Sequence, residues 1–378
     1  MKLAINGSRA RSGGAQSHLI GIISNAVPLN SGINEVHLWC DKNLQEKIPN
    51  KSWLVKHYSE ISNQPILNQL LWEKFYLPKL IRKYKCDFLF NVHAGSLCRF
   101  NPSITMSQDM LAFEKGEADR FGFSKERLRL FLLKRIHLYS LKNSTANIFL
   151  TSYAQKIISK ELNSVNPYKI IPHGVSENFN NLNKKKILNP NQKEINILYV
   201  SPIWLFKHQW EVVKAVEKVR SKNFNLKLTL VGGFEEKAFR KLKKQMFLSE
   251  SKAKFVNYLG HIPHIKLPDI YKKADIFIFA SSCENMPISL IEAMRSGLPI
   301  LCSNRGPMPE VLRDGGLYFD PENYISIAKT IEKLLFNRNL LFTLPKRSKE
   351  LSKHYTWDRC VNETLEYVKE IGKSCQDK

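Results

Sequence analysis

Residues 274–304 read "ADIFIFASSCENMPISLIEAMRSGLPILCSN" and contain the pattern on which the fold class depends. The apolar run "ADIFIFA" is followed by a polar turn, by "PISLIEAMRS" with apolar residues at helical spacing, and by a second apolar run, "PILCSN". Gly297 stands just after the amphipathic segment, where helices commonly end. The stretch therefore predicts a strand, a helix and a second strand.

The same alternation extends along most of the chain. Short apolar runs, each followed by a turn and a stretch at helical spacing, are "KLAIN", "EVHLWC", "CDFLFNVH", "SITMSQ", "NIFLTS", "INILYVSP", "KLTLVGG" and "FVNYLG". Strands that alternate with helices form parallel sheets covered by helices on both faces. We expect an α/β fold of the doubly wound type.

A chain of 378 residues exceeds the usual size of one core, and the periodic pattern breaks once, in "SENFNNLNKKKILNPNQKE". Asn, Lys and Pro replace the periodic apolar residues there, as in linkers between domains. We predict an N-terminal Rossmann-like domain (1–175), a linker (176–194), a C-terminal Rossmann-like domain (195–350) and a terminal helix in 351–378 that can return to the N-terminal domain. The two domains would face each other across a cleft lined by strand C-termini and helix N-termini.

Charge and cysteine content limit the class of protein. Lys and Arg outnumber Asp and Glu by 58 to 34, so the net charge of +24 favours a polyanion, an anionic membrane or phosphorylated substrates as partners. The seven scattered cysteines form no CxxC pair and indicate neither a disulfide framework nor a zinc site. No run approaches the roughly 18 apolar residues of a membrane span. We expect a cytoplasmic protein, at most attached to the inner face of the cell membrane.

Two carboxylates, Glu284 and Glu292, stand near the start of the helix predicted in the opening stretch. Asn285 is the expected N-cap and Pro287 the expected first-turn residue. A helix N-terminus presents backbone N–H groups and the positive end of a dipole, which suit a phosphate. The two carboxylates could then accept hydrogen bonds from hydroxyls on either side of a diphosphate. The alternative is an ordinary helix residue and an ordinary loop residue.

The segment "CENMPISLIEAMRSGLPI" resembles glycosyltransferase family 4, retaining enzymes of GT-B fold whose signature is E-x7-E after a late strand of the second domain. It is similar to the subgroup in which Asn and Pro follow the first Glu. The resemblance implies that Glu284 contacts hydroxyls of the transferred sugar and that Glu292 contacts the ribose of the nucleotide. It implies a donor site made of Gly13, Gly14, Lys207, His261, Ile262, Asn285, Met286, Pro287, Ile288 and Glu292.

Lys207 is the cation that the resemblance directs at the diphosphate. It lies in "ILYVSPIWLFKHQWEVVKAV", a strand, turn and helix in which the family usually carries an Arg and then a Lys. The Arg position falls in "SPIWLF", which has none, and Arg305 or Lys2 are candidates for the missing charge. A fixed cation in a water-poor site stabilises charge on the leaving phosphate.

The N-terminal half carries weaker signals. "NGSRARSGGAQSHL" reads as a loop in which Gly13 and Gly14 allow close approach of a ligand, or as a tight turn with no such role. By resemblance, His93 after "CDFLFNV" contacts the sugar, Asp109 in "MSQDMLAFE" belongs to the acceptor side, and His261 with Ile262 in "YLGHIP" meets the base. A structural role is the alternative for His93. The basic segment 124–144 is either a core helix with a solvated face or a surface that faces anionic lipid.

The resemblance implies a retaining hexosyltransferase in which Glu284, Lys207 and His93 are catalytic. It would move a hexose from UDP- or GDP-hexose to a glycan or lipid-linked glycan in O-antigen or capsule assembly, without a metal or other cofactor. A nucleotide-sugar epimerase of similar fold and a basic nucleic-acid-binding protein are the alternatives. No RNP-like or helix-turn-helix motif favours the latter, so we expect no nucleic acid partner.

Overall fold

The computed structural model describes residues 1–10, 13–162, 166–180, 194–249 and 254–376. The chain divides into two compact units, Met1–Gly174 with Thr356–Lys378, and Val175–Tyr355. The second unit thus begins ahead of the predicted linker, because a short 3-10 helix, Glu177–Phe179, packs on it. The remainder of the predicted linker, 181–193, lies outside the described residues.

The first unit is built on a seven-stranded sheet in which every neighbouring pair is parallel. The strands are β1 (Lys2–Asn6), β2 (Glu35–Cys40), β3 (Leu54–Tyr58), β4 (Phe88–Asn91), β5 (Ser103–Ser107), β6 (Ala146–Phe149) and β7 (Tyr168–Ile170). The helices before residue 163 are α1 (Gly13–Asn25), α2 (Lys42–Lys47), α3 (Ile66–Phe75), α4 (Leu77–Lys83), α5 (Lys125–Asn143) and α6 (Ser152–Leu162). The strand order is β3-β2-β1-β4-β5-β6-β7.

The second unit repeats this plan with a six-stranded parallel sheet of order β10-β9-β8-β11-β12-β13. Its strands are β8 (Ile195–Val200), β9 (Leu226–Val231), β10 (Val256–Tyr258), β11 (Ile276–Phe279), β12 (Ile300–Ser303) and β13 (Leu317–Phe319). Its helices are α7 (Gln209–Arg220), α8 (Glu236–Leu248), α9 (Leu267–Lys273), α10 (Ile288–Ser296), α11 (Met308–Leu312), α12 (Tyr324–Leu335) and α13 (Arg338–Ser352). The predicted α/β architecture of two Rossmann-like units is confirmed.

The final helix, α14 (Trp357–Gln376), belongs to the first unit and packs against α1. The contact is close, because a Cβ atom added at Gly21 would lie 2.5 Å from the indole ring of Trp357. Only glycine leaves space for that ring. The chain therefore leaves the first unit, forms the second and returns.

Strand order determines where a ligand site can form in each unit. In a doubly wound sheet, loops diverge at the point where the strand order reverses, and ligands bind at the carboxyl ends of the strands there. That point lies between β1 and β4 in the first unit and between β8 and β11 in the second. At both switch points, the loops after the strands carry residues that were predicted from the sequence to be site residues.

Candidate functional site

Lys207 and Glu284 form an ion pair at the switch point of the second unit. Lys207 ends a short 3-10 helix, Leu205–Lys207, after β8, and Glu284 lies in the turn between β11 and α10. The Lys207 Nζ contacts Glu284 Oε1, and the two side chains are 6% and 14% exposed. The Nζ also lies 5.3 Å from the ring centroid of Phe279. Because both side chains are largely shielded from solvent, the attraction between the two charges is only weakly screened.

Hydrogen bonds connect the two loops that carry this pair. The Ser282 N–H donates to the carbonyl oxygen of Phe206 over 2.9 Å, and Ser282 Oγ lies 2.9 Å from His208 Nε2. The Tyr199 hydroxyl, on β8, donates to the carbonyl of Lys207 over 2.6 Å. Three hydrogen bonds therefore hold the backbone around the Lys207–Glu284 pair.

The N-cap of helix α10 lies two residues after the predicted one. Its N-cap is Pro287, with φ −80° and ψ 104°, and no side chain caps it, so the expectation that Asn285 is the N-cap is wrong. Pro287 lacks an N–H and takes the extended backbone of a cap. Asn285 and Met286 lie in the preceding turn and are buried. The predicted end at Gly297 is confirmed, with φ 66°.

Glu292, on α10, has two partners that the sequence did not reveal. Its Oε1 lies 2.7 Å from His264 Nε2, and its Oε2 accepts from the Tyr271 hydroxyl over 3.0 Å. The hydrogen bond to Glu292 raises the pKa of His264, and burial raises the pKa of Tyr271 well above its usual range. Of these two partners, only His264 stands near a predicted site residue in the sequence, three residues after His261.

His261 and Ile262 lie in the loop after β10, where His261 is exposed and Ile262 half-buried. This loop is fixed to the loop after β9, since the Gly232 N–H donates to Gly260 O over 2.8 Å. The proposed base contact of both residues stays a prediction.

Arg305, the other candidate for the missing charge, lies in the loop after β12. It is half-exposed, and its guanidinium lies 3.3 Å from the Asp320 carboxylate. The adjoining Gly306 approaches the backbone of Glu284.

In the first unit, Gly13 and Gly14 occupy the first turn of α1, not the loop before it. Gly13 has φ 62°, a left-handed conformation that glycine takes without strain.

The prediction that Lys2 can supply the missing positive charge is wrong, because Lys2 does not lie at the ligand end of its sheet. It stands at the amino end of β1 and pairs with Glu35 over 2.8 Å.

His93 and Asp109 are brought together, and His137 of α5 joins them. One nitrogen or carboxylate oxygen of each lies within 4.8 Å of the others. The Gly95 N–H donates to His93 Nδ1 over 2.8 Å, so the neutral ring carries its proton on Nε2, which is unfavourable for a metal ligand. Burial lowers the pKa of His93 to about 4, with Asp109 opposing and Arg9 reinforcing the shift. His137 is buried, and burial holds its pKa well below the usual value.

A buried polar network supports the loop after β1. Glu73 of α3 accepts hydrogen bonds from Asn6 Nδ2 (3.4 Å), Ser8 Oγ (3.2 Å) and the Leu97 N–H (3.3 Å). Burial raises the pKa of this carboxyl, and Arg9 opposes that shift. No sequence pattern pointed to Glu73, which has the appearance of a surface residue on an amphipathic helix.

The basic helix α5 buries Leu130, His137 and Leu141 and leaves apolar side chains in solvent. Leu128, Phe131 and Leu132 are more than half exposed, and the Arg135 guanidinium lies over the Phe131 ring at 5.2 Å. No helix in the described part of the chain is both long and apolar enough to cross a bilayer.

Residues 180–353 match the family described as glycosyl transferases group 1. The chain is 31% identical over 115 residues to O-antigen chain mannosyltransferase B of Escherichia coli, covering 30% of each chain. It is 31% identical over 170 residues to O-antigen chain mannosyltransferase RfbU of Salmonella typhimurium, covering 44% of this chain and 47% of that one. These matches thus span less than half of each relative.

Solved structures resemble the whole chain. A sucrose-phosphate synthase of Thermosynechococcus elongatus has a TM-score of 0.76 at 17% identity, over 99% of this chain and 100% of that one. Anabaena Alr3699/HepE, in complex with UDP and glucose, has a TM-score of 0.71 at 16% identity, over 100% of both chains. At such identities the likeness establishes the fold, which is of GT-B type.

Proposed function

We propose that this chain is a retaining glycosyltransferase of family 4 type. It transfers a hexose from UDP- or GDP-hexose to a hydroxyl of a glycan or lipid-linked glycan during surface polysaccharide assembly. The observation that carries the proposal is the Lys207–Glu284 pair at the switch point of the second sheet, within the segment that matches group 1 glycosyl transferases. The two O-antigen mannosyltransferases among its relatives support a polysaccharide role.

The pair suits a donor whose diphosphate and sugar arrive together. The Lys207 ammonium has three protons, so it can turn toward a diphosphate while the Glu284 carboxylate accepts from sugar hydroxyls. The N-terminus of α10 supplies further positive potential for the diphosphate. Lys207 and this helix end can carry the leaving charge, so we expect transfer without a metal.

The transfer replaces one bond at the anomeric carbon by another. The bond from that carbon to the diphosphate oxygen breaks with its electron pair on the oxygen, and the acceptor oxygen bonds to the same face. The acceptor proton passes to the departing phosphate oxygen. His93, after β4 at the switch point of the first unit, and Asp109, after the neighbouring β5, are the groups we assign to the sugar and the acceptor.

The test is a donor screen with purified protein and UDP, GDP and ADP hexoses, in Mg²⁺ and in EDTA. We expect one nucleotide class to raise the melting temperature, and one sugar conjugate to be slowly hydrolysed in EDTA. Strong, salt-sensitive RNA binding without binding of any nucleotide sugar would instead favour the nucleic-acid alternative.

A further inference from the structure

The Glu292 carboxylate is covered by a histidine. Its side chain is 3% exposed, whereas that of its partner His264 is 55% exposed. The imidazole therefore stands between the carboxylate and solvent. A ligand that reaches Glu292 must first meet His264.

The far side of Glu292 is closed. The Tyr271 hydroxyl shares its proton between Glu292 Oε2 and the Ser289 carbonyl, at 3.0 Å each. The Phe179 ring lies 5.3 Å from the Tyr271 ring and 5.7 Å from that of His264. An ion pair between Glu177 and Arg295 holds the Phe179 segment on α10. Movement of His264 is thus the change that opens the carboxylate at least cost in packing.

An ionised carboxylate has about four acceptor positions, and His264 and Tyr271 occupy two. A ribose diol could use the remaining two, but the carboxylate is only 3% exposed while His264 is in contact with it. His264 lies in a short 3-10 helix, His264–Lys266, between β10 and α9, and is exposed. Rotation of its side chain requires no change in either element.

We propose that His264 is a gate on Glu292, so that the ring must leave the carboxylate before the ribose of a nucleotide-sugar can bind there, and a proton on His264 opposes donor binding. This positioning role rests on the proposed function, in which Glu292 is the ribose acceptor. Tyr271 holds the carboxylate in place throughout.

Protonation linkage gives the direction of the effect. The pKa of His264 is raised chiefly by its hydrogen bond to Glu292, and a displaced ring returns toward the ordinary value. The ionisable groups facing the ring are Glu292 of α10 and, through it, Tyr271 of α9, which stays neutral because burial raises its pKa. Phe179, on the third side, has no charge, and the Glu177–Arg295 pair is internally compensated. Donor binding therefore releases a proton, and affinity rises with pH between the ordinary and the raised pKa.

The experiment is calorimetric titration of UDP-glucose and GDP-mannose into the full chain from about pH 5 to about pH 8, the range in which histidine titrates. The phosphates of these donors carry no proton near neutrality. We expect wild-type affinity to increase by up to about tenfold per pH unit across the titration. Two buffers of different ionisation enthalpy should reveal proton release.

H264A and H264N should both bind with little pH dependence and more tightly than wild type at the acidic end. Asparagine retains a donor to Glu292 without titrating, so it separates charge from contact. H354A removes an exposed histidine of the same unit and should keep the wild-type profile.

An identical pH profile in wild type and H264A would overturn the gate, as would tighter binding on acidification, which would mean that the imidazolium contacts the diphosphate. If neither donor bound to any variant, the proposed function would fail first and the gate with it. The two failures are therefore distinguishable.

Discussion

At the scale of single residues, the Lys207–Glu284 pair determines what the second unit can bind. Each group neutralises the other in a nearly water-free position, so neither presents its full charge to a ligand. Under the proposed function, donor binding would exchange one internal ion pair for two ligand contacts. This exchange makes the two residues separable by mutation.

Replacing Glu284 with Ala should lower the transfer rate by about 100-fold or more, because the sugar loses a positioning contact. Binding of the free nucleoside diphosphate should be retained or tightened, since Lys207 no longer has an internal partner. Initial rates and calorimetry with UDP and GDP are the measurements. Loss of rate and diphosphate affinity together would contradict the division of roles.

Replacing Lys207 with Met should weaken diphosphate binding by about 10- to 100-fold and leave nucleoside binding unchanged. The change also leaves the Glu284 carboxylate without its cation, at a cost to the free energy of unfolding of about 3 kcal/mol. Addition of E284Q should restore most of that stability. Denaturant unfolding of both single variants and the double variant measures the coupling, and additive effects would mean that the pair contributes nothing.

His137 is expected to cost stability in acid. Its pKa is held well below 6.5 in the folded protein by burial, so the unfolded chain binds the proton more readily. Folded stability is then complete above about pH 6.5 and falls below it by up to about 1.4 kcal/mol per pH unit for this group. His137→Leu should flatten this slope, measured by denaturant unfolding at about pH 5 and pH 7. His354→Leu, at an exposed site, should leave the slope as it is.

At the scale of elements, the strands that sequence patterns missed are β3, β7 and β13. All three are edge strands of their sheets. β3 carries Lys56 and His57, and the other two have only three residues each. A central strand buried on both faces shows a continuous apolar run, whereas an edge strand needs neither length nor apolarity.

The contact between α1 and α14 gives a prediction at this scale. Gly21→Ala places a methyl group against the Trp357 ring and should cost about 1–3 kcal/mol of unfolding free energy. Gly14→Ala, in the same helix but exposed, should cost nothing or stabilise slightly. Denaturant unfolding of the two variants checks the difference. Equal effects would mean that the two helices can separate slightly without loss.

At the scale of the whole molecule, the dominant property is the net charge of +24. A charge of this size attracts anionic surfaces from a distance but does not choose among them. The exposed apolar side chains of α5 beside Arg127, Arg129 and Arg135 combine both terms of membrane binding, apolar contact and charge.

The protein should therefore bind vesicles that contain anionic lipid, and raising the ionic strength should weaken this binding. Changing Phe131 and Leu132 together to Ser should reduce vesicle binding several-fold even at low salt, because apolar contact is lost. Phe336→Ser, at an exposed site of the second unit, is the matched control. Cosedimentation is the measurement. Equal binding by both variants would assign the attraction to charge alone.

The order of apolar runs and turns in the sequence was enough to determine the α/β class, the two Rossmann-like units, the central strands and the end of α10 at Gly297. These follow from local periodicity and backbone preference, which a short stretch of chain contains in full. The partners of each charged group were decided by tertiary structure alone. Lys207 meets Glu284 because β8 and β11 are neighbours, although 77 residues separate the two. Glu292 meets Tyr271 and His264 because α9, with the short helix that precedes it, packs beside α10. His93 meets His137 because α5 packs against β5, the neighbour of β4. In each case the packing of whole elements joins residues that are distant in the sequence, which no local pattern contains.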